Sequence, residues 1–207
     1  DALSILSPGD SITLYFPVDS MNNVPPGLSE GDIMEYDISV EKVLTAEEYT
    51  KQRQAEQQKL DDRRKELVKR LPEIRSTLTD LLNQYKAGDI EDLQSTDTGL
   101  EYVVLEEGEG TKPNSGQTVS VHYFGSLMNA DTLSMFDNSF ERGKPISFPL
   151  GQGRVIQGWD EGIAQLKEGS RAVLFIPSEL GYGKQGSPPK IPGDSDLMFY
   201  VELKEVQ

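Results

Sequence analysis

The chain contains no cysteine and a single histidine, His122. The first absence removes disulfide frameworks, thiolate nucleophiles and cysteine-based zinc sites. The second removes histidine-rich metal centres and relays of several histidines. No apolar run approaches the ~18 residues of a membrane span. The residues that follow Asp1 lack the basic start and apolar stretch of a signal peptide, so any leader would lie before Asp1. Positive charge is scarce too, with 20 Lys and Arg against 35 Asp and Glu and a formal charge of −15. The counts are 11 basic and 19 acidic up to Ser95 and 9 and 16 beyond it, so no basic half is concealed. A nucleic-acid partner requires a cationic footprint that displaces counterions, and neither part supplies one. The 207 residues suffice for one large domain or two small ones with a sizeable core.

The middle of the chain, from about Thr45 to Tyr85, is rich in Glu, Gln, Lys, Arg and Leu, with no Gly and one Pro. Thr45 and Glu48 have capping-box spacing and predict a helix start. Leu60, Leu67, Leu71, Ile74, Leu78, Leu81 and Tyr85 form a heptad stripe, and Glu47–Lys51 and Asp61–Lys65 are favourable i,i+4 pairs. Pro72 is expected to kink this helix or begin a second one, and Gly88 to stop it. The stripe has two readings, a seam between two copies of the chain or a face packed on a neighbouring domain.

Beyond about Asp97 the period changes. Thr118–Tyr123 alternates polar with apolar, Ala172, Leu174 and Ile176 share a face, and so do Leu197, Phe199, Val201 and Leu203. These are antiparallel strands bounded by Gly, Pro, Asn and Asp clusters. Trp159–Leu166 has helical spacing over about two turns. An α+β domain is expected, a sheet wrapped around one short helix. A repeat links the start to the end. Leu6, Gly9, Leu14, Tyr15 and Pro17 correspond to Leu166, Gly169, Leu174, Phe175 and Pro177, and after a length change Pro25, Pro26, Tyr36, Val40 and Val43 correspond to Pro188, Pro189, Phe199, Leu203 and Val206. Residues 1–44 therefore read as the second half of a domain like the final one, its first half lying outside this sequence.

Three apparent motifs carry no chemistry. Gly181–Gly186 matches G-x-G-x-x-G by letters, but Ser187, Pro188 and Pro189 follow where a phosphate-binding helix would open. His122 with Asp137 and a serine suggests a triad, yet alternation puts His122 and Tyr123 on opposite faces, and we read His122 as a half-exposed strand histidine. Asp97, Glu106, Glu107 and Glu109 form an acidic surface patch without the spacing of a calcium loop. No metal and no cofactor are expected.

The informative constellation is Val121-His-Tyr-Phe-Gly125, Phe136-Asp137-Asn-Ser139, Gly151-Gln-Gly-Arg-Val155-Ile156-Gln-Gly-Trp159, Ile176-Pro177, Gly181-Tyr182-Gly183 and Leu197-Met-Phe199-Tyr-Val-Glu-Leu203. In order and spacing it resembles the FKBP-type peptidyl-prolyl cis-trans isomerases over residues 97–207. The resemblance implies a bent antiparallel sheet around a short helix, with an apolar pocket between them. Trp159 would floor this pocket and Tyr123, Phe136, Val155, Ile156 and Phe199 would wall it. Tyr182 and Ile191 would overhang it, and Asp137 would sit at its rim, held by Arg142. Tyr182 and the Ile156 amide would hold substrate carbonyls, and Asp137 completes the implied catalytic set. Ile146 lines the pocket where the family usually carries an aromatic. Ser187, Lys190 and three extra residues between Gly125 and Phe136 are further departures, bearing on substrate preference. Met21-Asn22-Asn23 stands where the repeat would place the Gly-Tyr-Gly, so the first unit is expected to be inactive.

The implied division is a degenerate half-domain at 1–44, a helical linker or dimerisation segment at 45–96 and an isomerase domain at 97–207. The implied partners are proline-containing unfolded or flexible proteins and a macrolide ligand, with a homodimer through the helical segment as one arrangement. The alternative function is a non-catalytic binding module or folding chaperone. A helix ahead of such a domain resembles bacterial members of the cell envelope, which points to the periplasm, with the cytoplasm as the other location.

Overall fold

A computed structural model describes residues 6–20, 24, 27–29, 31–128 and 133–207. The chain divides into two compact units, Asp1–Glu56 and Gln57–Gln207. The elements in order are β1 (Ser11–Pro17), β2 (Ile33–Ser39), α1 (Ala46–Val68), α2 (Leu71–Ala87), β3 (Gln94–Ser95), β4 (Glu101–Glu106), β5 (Thr118–Leu127), β6 (Ser134–Asn138), β7 (Ile146–Pro149), α3 (Gln157–Ile163), β8 (Arg171–Ile176) and β9 (Leu197–Val206). None of the described helices is long and apolar enough to cross a membrane.

The helices begin and end where local chemistry dictates. The Glu48 N–H donates to Thr45 Oγ1 at 3.2 Å and the Thr45 N–H to Glu48 Oε2 at 2.9 Å, closing the expected capping box. Pro72 is the second residue of α2, where a missing N–H leaves no intrahelical bond unmade, so the chain starts a new helix there. Gly88 ends α2 with φ 75°, and the next amide donates to the Gln84 carbonyl at 2.9 Å. The Asp61–Lys65 pair does not form. Lys65 instead reaches Asp62 at 3.3 Å, and Asp61 accepts from Gln57 at 3.0 Å.

All strands of the second unit join one antiparallel sheet in the order β3-β4-β8-β9-β5-β6, with β7 also on β5. Alternation sends Val119, Val121, Tyr123, Leu174, Ile176, Phe199 and Val201 to one face, where they enclose α3 through Trp159 and Ile163. The other face is apolar as well. Phe124, Val173, Phe175, Met198 and Tyr200 pack against Leu71, Ile74, Leu78, Leu81 and Leu82 of α2. Of the two readings of the heptad stripe, α2 therefore serves the packing one, on its own chain's sheet. Leu60 and Leu67 of α1 are half-buried, as is Tyr85, whose ring stacks on Phe175 at 4.4 Å.

A buried ion pair pins the start of α2 to this face. Arg70 places both guanidinium NH groups on the Glu202 carboxylate, which is 2% exposed, and the Tyr200 hydroxyl donates to the same carboxylate at 2.7 Å. Burial pushes the Glu202 carboxyl up, but the bonds from Arg70 and Tyr200 outweigh it and hold the group below its ordinary range. A carboxylate buried this deeply needs its partner, because removing one member of such a pair leaves an uncompensated charge.

The first unit repeats a piece of the second in its hydrogen bonds as well as its letters. Gly9 donates to the Val40 carbonyl at 2.7 Å and Gly169 to the Leu203 carbonyl at 2.8 Å, and both glycines have φ 93°. Val40 in turn donates to Asp10, as Leu203 does to Ser170. Leu14 lies opposite Tyr36 in β1–β2, and Leu174 opposite Phe199 in β8–β9. A 3₁₀ turn follows the first strand in each copy, at Val18–Ser20 and Ser178–Leu180. Pro25, Pro26 and Met21-Asn22-Asn23, and positions 129–132 of the extra segment after Gly125, lie outside the described residues.

Leu78 has no exposed surface and sits between α2 and the sheet. Leu78→Ala is expected to cost about 2–5 kcal/mol, the range for a leucine truncated in a core. Urea unfolding at neutral pH measures it. A loss below about 1 kcal/mol would mean that α2 rests loosely on the sheet.

Candidate functional site

The concave face of the sheet and the start of α3 enclose a cavity of about 220 Å³. It is lined by Tyr123, Phe136, Asp137, Ile146, Arg154, Val155, Ile156, Trp159, Tyr182 and Phe199. Each wall has a local cause. Tyr123 and Phe199 face inward through strand alternation on β5 and β9. Trp159 lies in the first turn of α3, 4% exposed, with Tyr123 edge-on at 5.0 Å and Phe199 at 5.2 Å. Its indole N–H has no hydrogen-bond partner among the described residues and sits among ring faces. Phe136 meets Phe199 edge-on at 5.5 Å. Phe136 and Phe199 close on position 125, where glycine leaves them room: a Cβ there would lie 2.6 Å from Phe199 Cε1 and 2.7 Å from Phe136 Cζ.

The loop before α3 is fixed by a residue that sequence reasoning missed. Asp160 accepts from the Gly151 N–H at 2.8 Å and the Gly153 N–H at 3.0 Å. Its signal was an acid in the first turn of a helix that follows a glycine-rich loop, where free amides gather. Ile156 caps the helix in an extended conformation with φ −61° and ψ 149°. Its carbonyl accepts from Trp159 at 2.9 Å, and its own N–H meets no acceptor among the described residues.

The rim is polar on one side. The Tyr123 hydroxyl donates to Asp137 Oδ2 at 2.5 Å, and Arg142 contacts Asp137 Oδ1 and Oδ2 at 3.1 and 3.2 Å. The same guanidinium bonds the Tyr123 hydroxyl oxygen and lies over its ring at 5.3 Å. Burial, with help from Asp137 against Arg142, pushes the Tyr123 phenol up to about 12, so it stays protonated as a donor. Tyr182 is 40% exposed, and its hydroxyl makes no hydrogen bond among the described residues. Burial and the Asp137 charge raise its pKa.

Ile191 is 4% exposed and lines an adjoining cavity of about 390 Å³ beneath the same loop. The two cavities share Phe136, Asp137 and Tyr182. His122 is not half-exposed but buried, at 6% exposure, because α2 covers the face to which alternation sends it. Its Nδ1 lies 2.8 Å from Ser139 Oγ, which also accepts from the Tyr123 N–H at 2.9 Å. His122 thus braces the segment after Asp137 from behind the sheet. Arg154 was overlooked as a lining residue, although it stands inside the quoted Gly-Gln-Gly-Arg-Val-Ile run. Among the described residues no cluster of acidic residues and histidine is suited to a metal ion.

A sheet wrapped on one helix, with an aromatic cavity floored by tryptophan between them, defines a class. The family model described as FKBP-type peptidyl-prolyl cis-trans isomerase matches residues 109–204. Peptidyl-prolyl cis-trans isomerase Fkbp12 of Drosophila melanogaster is 46% identical over 110 residues, 53% of this chain and 99% of the relative. Peptidyl-prolyl cis-trans isomerase FPR2 of Saccharomyces cerevisiae is 50% identical over 96 residues, 46% of this chain and 70% of the relative. Among solved structures, AtFKBP13 covers 56% of this chain and all of its own, with TM-score 0.52 and 34% identity. FkpA from Escherichia coli covers 79% of this chain and 74% of its own, with TM-score 0.54 and 35% identity. The chain belongs to the FKBP-type peptidyl-prolyl cis-trans isomerases, and its activity is the isomerisation of peptidyl-prolyl bonds.

Burial lowers the His122 pKa, and Lys204, Arg70 and Arg63 lower it further against the pull of Glu202. The unfolded chain takes up this proton near pH ~6.5 and the folded chain only below that. Stability is therefore held in full above about pH 6.5 and is lost as the pH falls from there toward the lower folded value. Urea midpoints at about pH 7.5 and pH 5.5 should differ in that direction, and His122→Asn should remove most of the difference. An unchanged slope in the variant would show that other groups set it.

Proposed function

We propose that the prolyl bond is turned in the Trp159 cavity. Its ring would rest on Trp159 between Tyr123, Phe136, Ile146, Val155 and Phe199, with its flanking carbonyls held by the Ile156 N–H and the Tyr182 hydroxyl. The observation that carries this reading is that both donors border one largely aromatic cavity and neither has a partner among the described residues. Rotation about the planar amide faces a barrier of about 18–20 kcal/mol from C–N resonance. The twisted amide has lost that resonance and the charge separation it carries. A dry aromatic enclosure therefore disfavours the planar form more than the twisted one, and only such a difference accelerates a reaction. Each factor of ten needs about 1.4 kcal/mol, within reach of several modest effects. The two donors orient the segment, no covalent intermediate is formed, and Asp137 with Arg142 keeps the Tyr123 wall in place.

The test is isomerisation of a Leu-Pro peptide without and with rapamycin as a macrolide competitor. Catalysis that rapamycin blocks is the expected result. Tyr182→Phe should lower kcat/KM about 2- to 10-fold, the worth of one hydrogen bond. An undiminished rate would remove the hydroxyl from the mechanism.

A second reading, a non-catalytic module that binds prolyl or apolar segments or acts as a folding chaperone, is supported by the aromatic lining of the same cavity. On that reading an isomerase-deficient variant still suppresses aggregation of a refolding protein. We retain the division at 1–44, 45–96 and 97–207 as a division by origin, with α2 packed on the isomerase sheet. Any homodimer is assigned to α1, since α2 spends its stripe on its own sheet, and sedimentation velocity tests it. A bacterial cell-envelope location is proposed from the helix ahead of the isomerase domain and the match to FkpA, and fractionation of the source cells tests it.

A further inference from the structure

The two adjoining cavities carry a cationic margin that bond rotation does not require. The chain has 35 acidic residues against 20 basic ones, yet the side chains lining these cavities include Arg142, Arg154 and Lys190 against Asp137 alone. Asp137 is occupied by Tyr123 and Arg142, and that pair is close to neutral. The other two cations form no ion pair among the described residues. Lys190 donates to the Phe136 carbonyl at 2.8 Å, which fixes the ammonium at the boundary of the cavities without cancelling its charge. Its two other N–H donors meet no acceptor among the described residues. Arg154 is exposed and makes no hydrogen bond or ion pair among the described residues. Arg154 borders the first cavity and Lys190 the second, so a segment that occupies both meets both charges.

We propose that Lys190 and Arg154 select prolyl segments with an acidic residue beside the proline and disfavour those with a basic one. This rests on the Trp159 cavity being the working site. At physiological salt the Debye length is about 8 Å, so the acidic surface elsewhere is screened while a charge beside the bound proline feels these two groups. The selection is the reverse of what the net charge of −15 would give by itself. Both groups face solvent, so each contact changes kcat/KM only about 2- to 5-fold, and salt weakens it.

The experiment uses the full chain and three matched peptides with Glu, Gln or Lys on either side of Leu-Pro. Their kcat/KM values are measured at low and at about 0.5 M salt. The expected order is Glu, then Gln, then Lys, spread about 10-fold at low salt and less than about 2-fold at high salt. Lys190→Glu combined with Arg154→Glu inverts the order, and the milder pair Lys190→Gln with Arg154→Gln flattens it. Equal turnover of the three peptides, or an order unchanged by charge reversal, overturns the proposal while leaving the isomerase site intact. Failure to turn over even the Gln peptide overturns the reading of the cavity itself, and the selection with it.

Discussion

Phe199 and Tyr200 are neighbours on the central strand β9 and point to opposite sides of the sheet, and the second unit depends on both being buried. Phe199 forms a wall of the Trp159 cavity, and Tyr200 lies under α2 with Glu202. A strand this apolar on both faces is stable only between two layers. The helix α3 with its tryptophan supplies one layer and α2 the other. The catalytic face is thus held in shape from behind. His122 and Ser139 brace the segment that carries Asp137, and Arg70 locks the start of α2 to the carboxylate of β9.

The isomerase chemistry asks for an apolar seat more than for reactive side chains. No proton must be moved and no nucleophile generated. What the protein supplies is an enclosure whose walls do not need to rearrange. Edge-to-face packing of Tyr123, Trp159, Phe136 and Phe199 fixes the rings against each other. Asp160 fixes the loop that presents the Ile156 amide. On the proposed reading, enclosure and donors stand ready before a substrate arrives, so less ordering is left to oppose binding.

Much of this was legible in the amino-acid order. The period-two faces through Leu174 and Phe199, the capping box at Thr45 and the new helix at Pro72 follow from spacing and local chemistry, and the structure has each of them. The second core was legible in principle but was not read. Arg171-Ala-Val-Leu-Phe-Ile176 is apolar at nearly every position, the mark of a strand buried on both faces. Taken with the stripe on α2, it would have put His122 under cover. Arg154 and Asp160 were hidden for another reason. A loop has no period, so nothing in the sequence shows where its side chains turn.

Gly125 has a consequence for how such a pocket can change over time. The Phe136–Phe199 pair owes its place to one missing carbon, and both rings line the Trp159 cavity. Most walls can be tuned in small steps, an isoleucine to a valine or a phenylalanine to a leucine. At this position the smallest available step already forces both rings to move. Descendants of this chain can thus adjust the breadth and the charged margin of the pocket by degrees, whereas the seat of its two phenylalanines offers no small step.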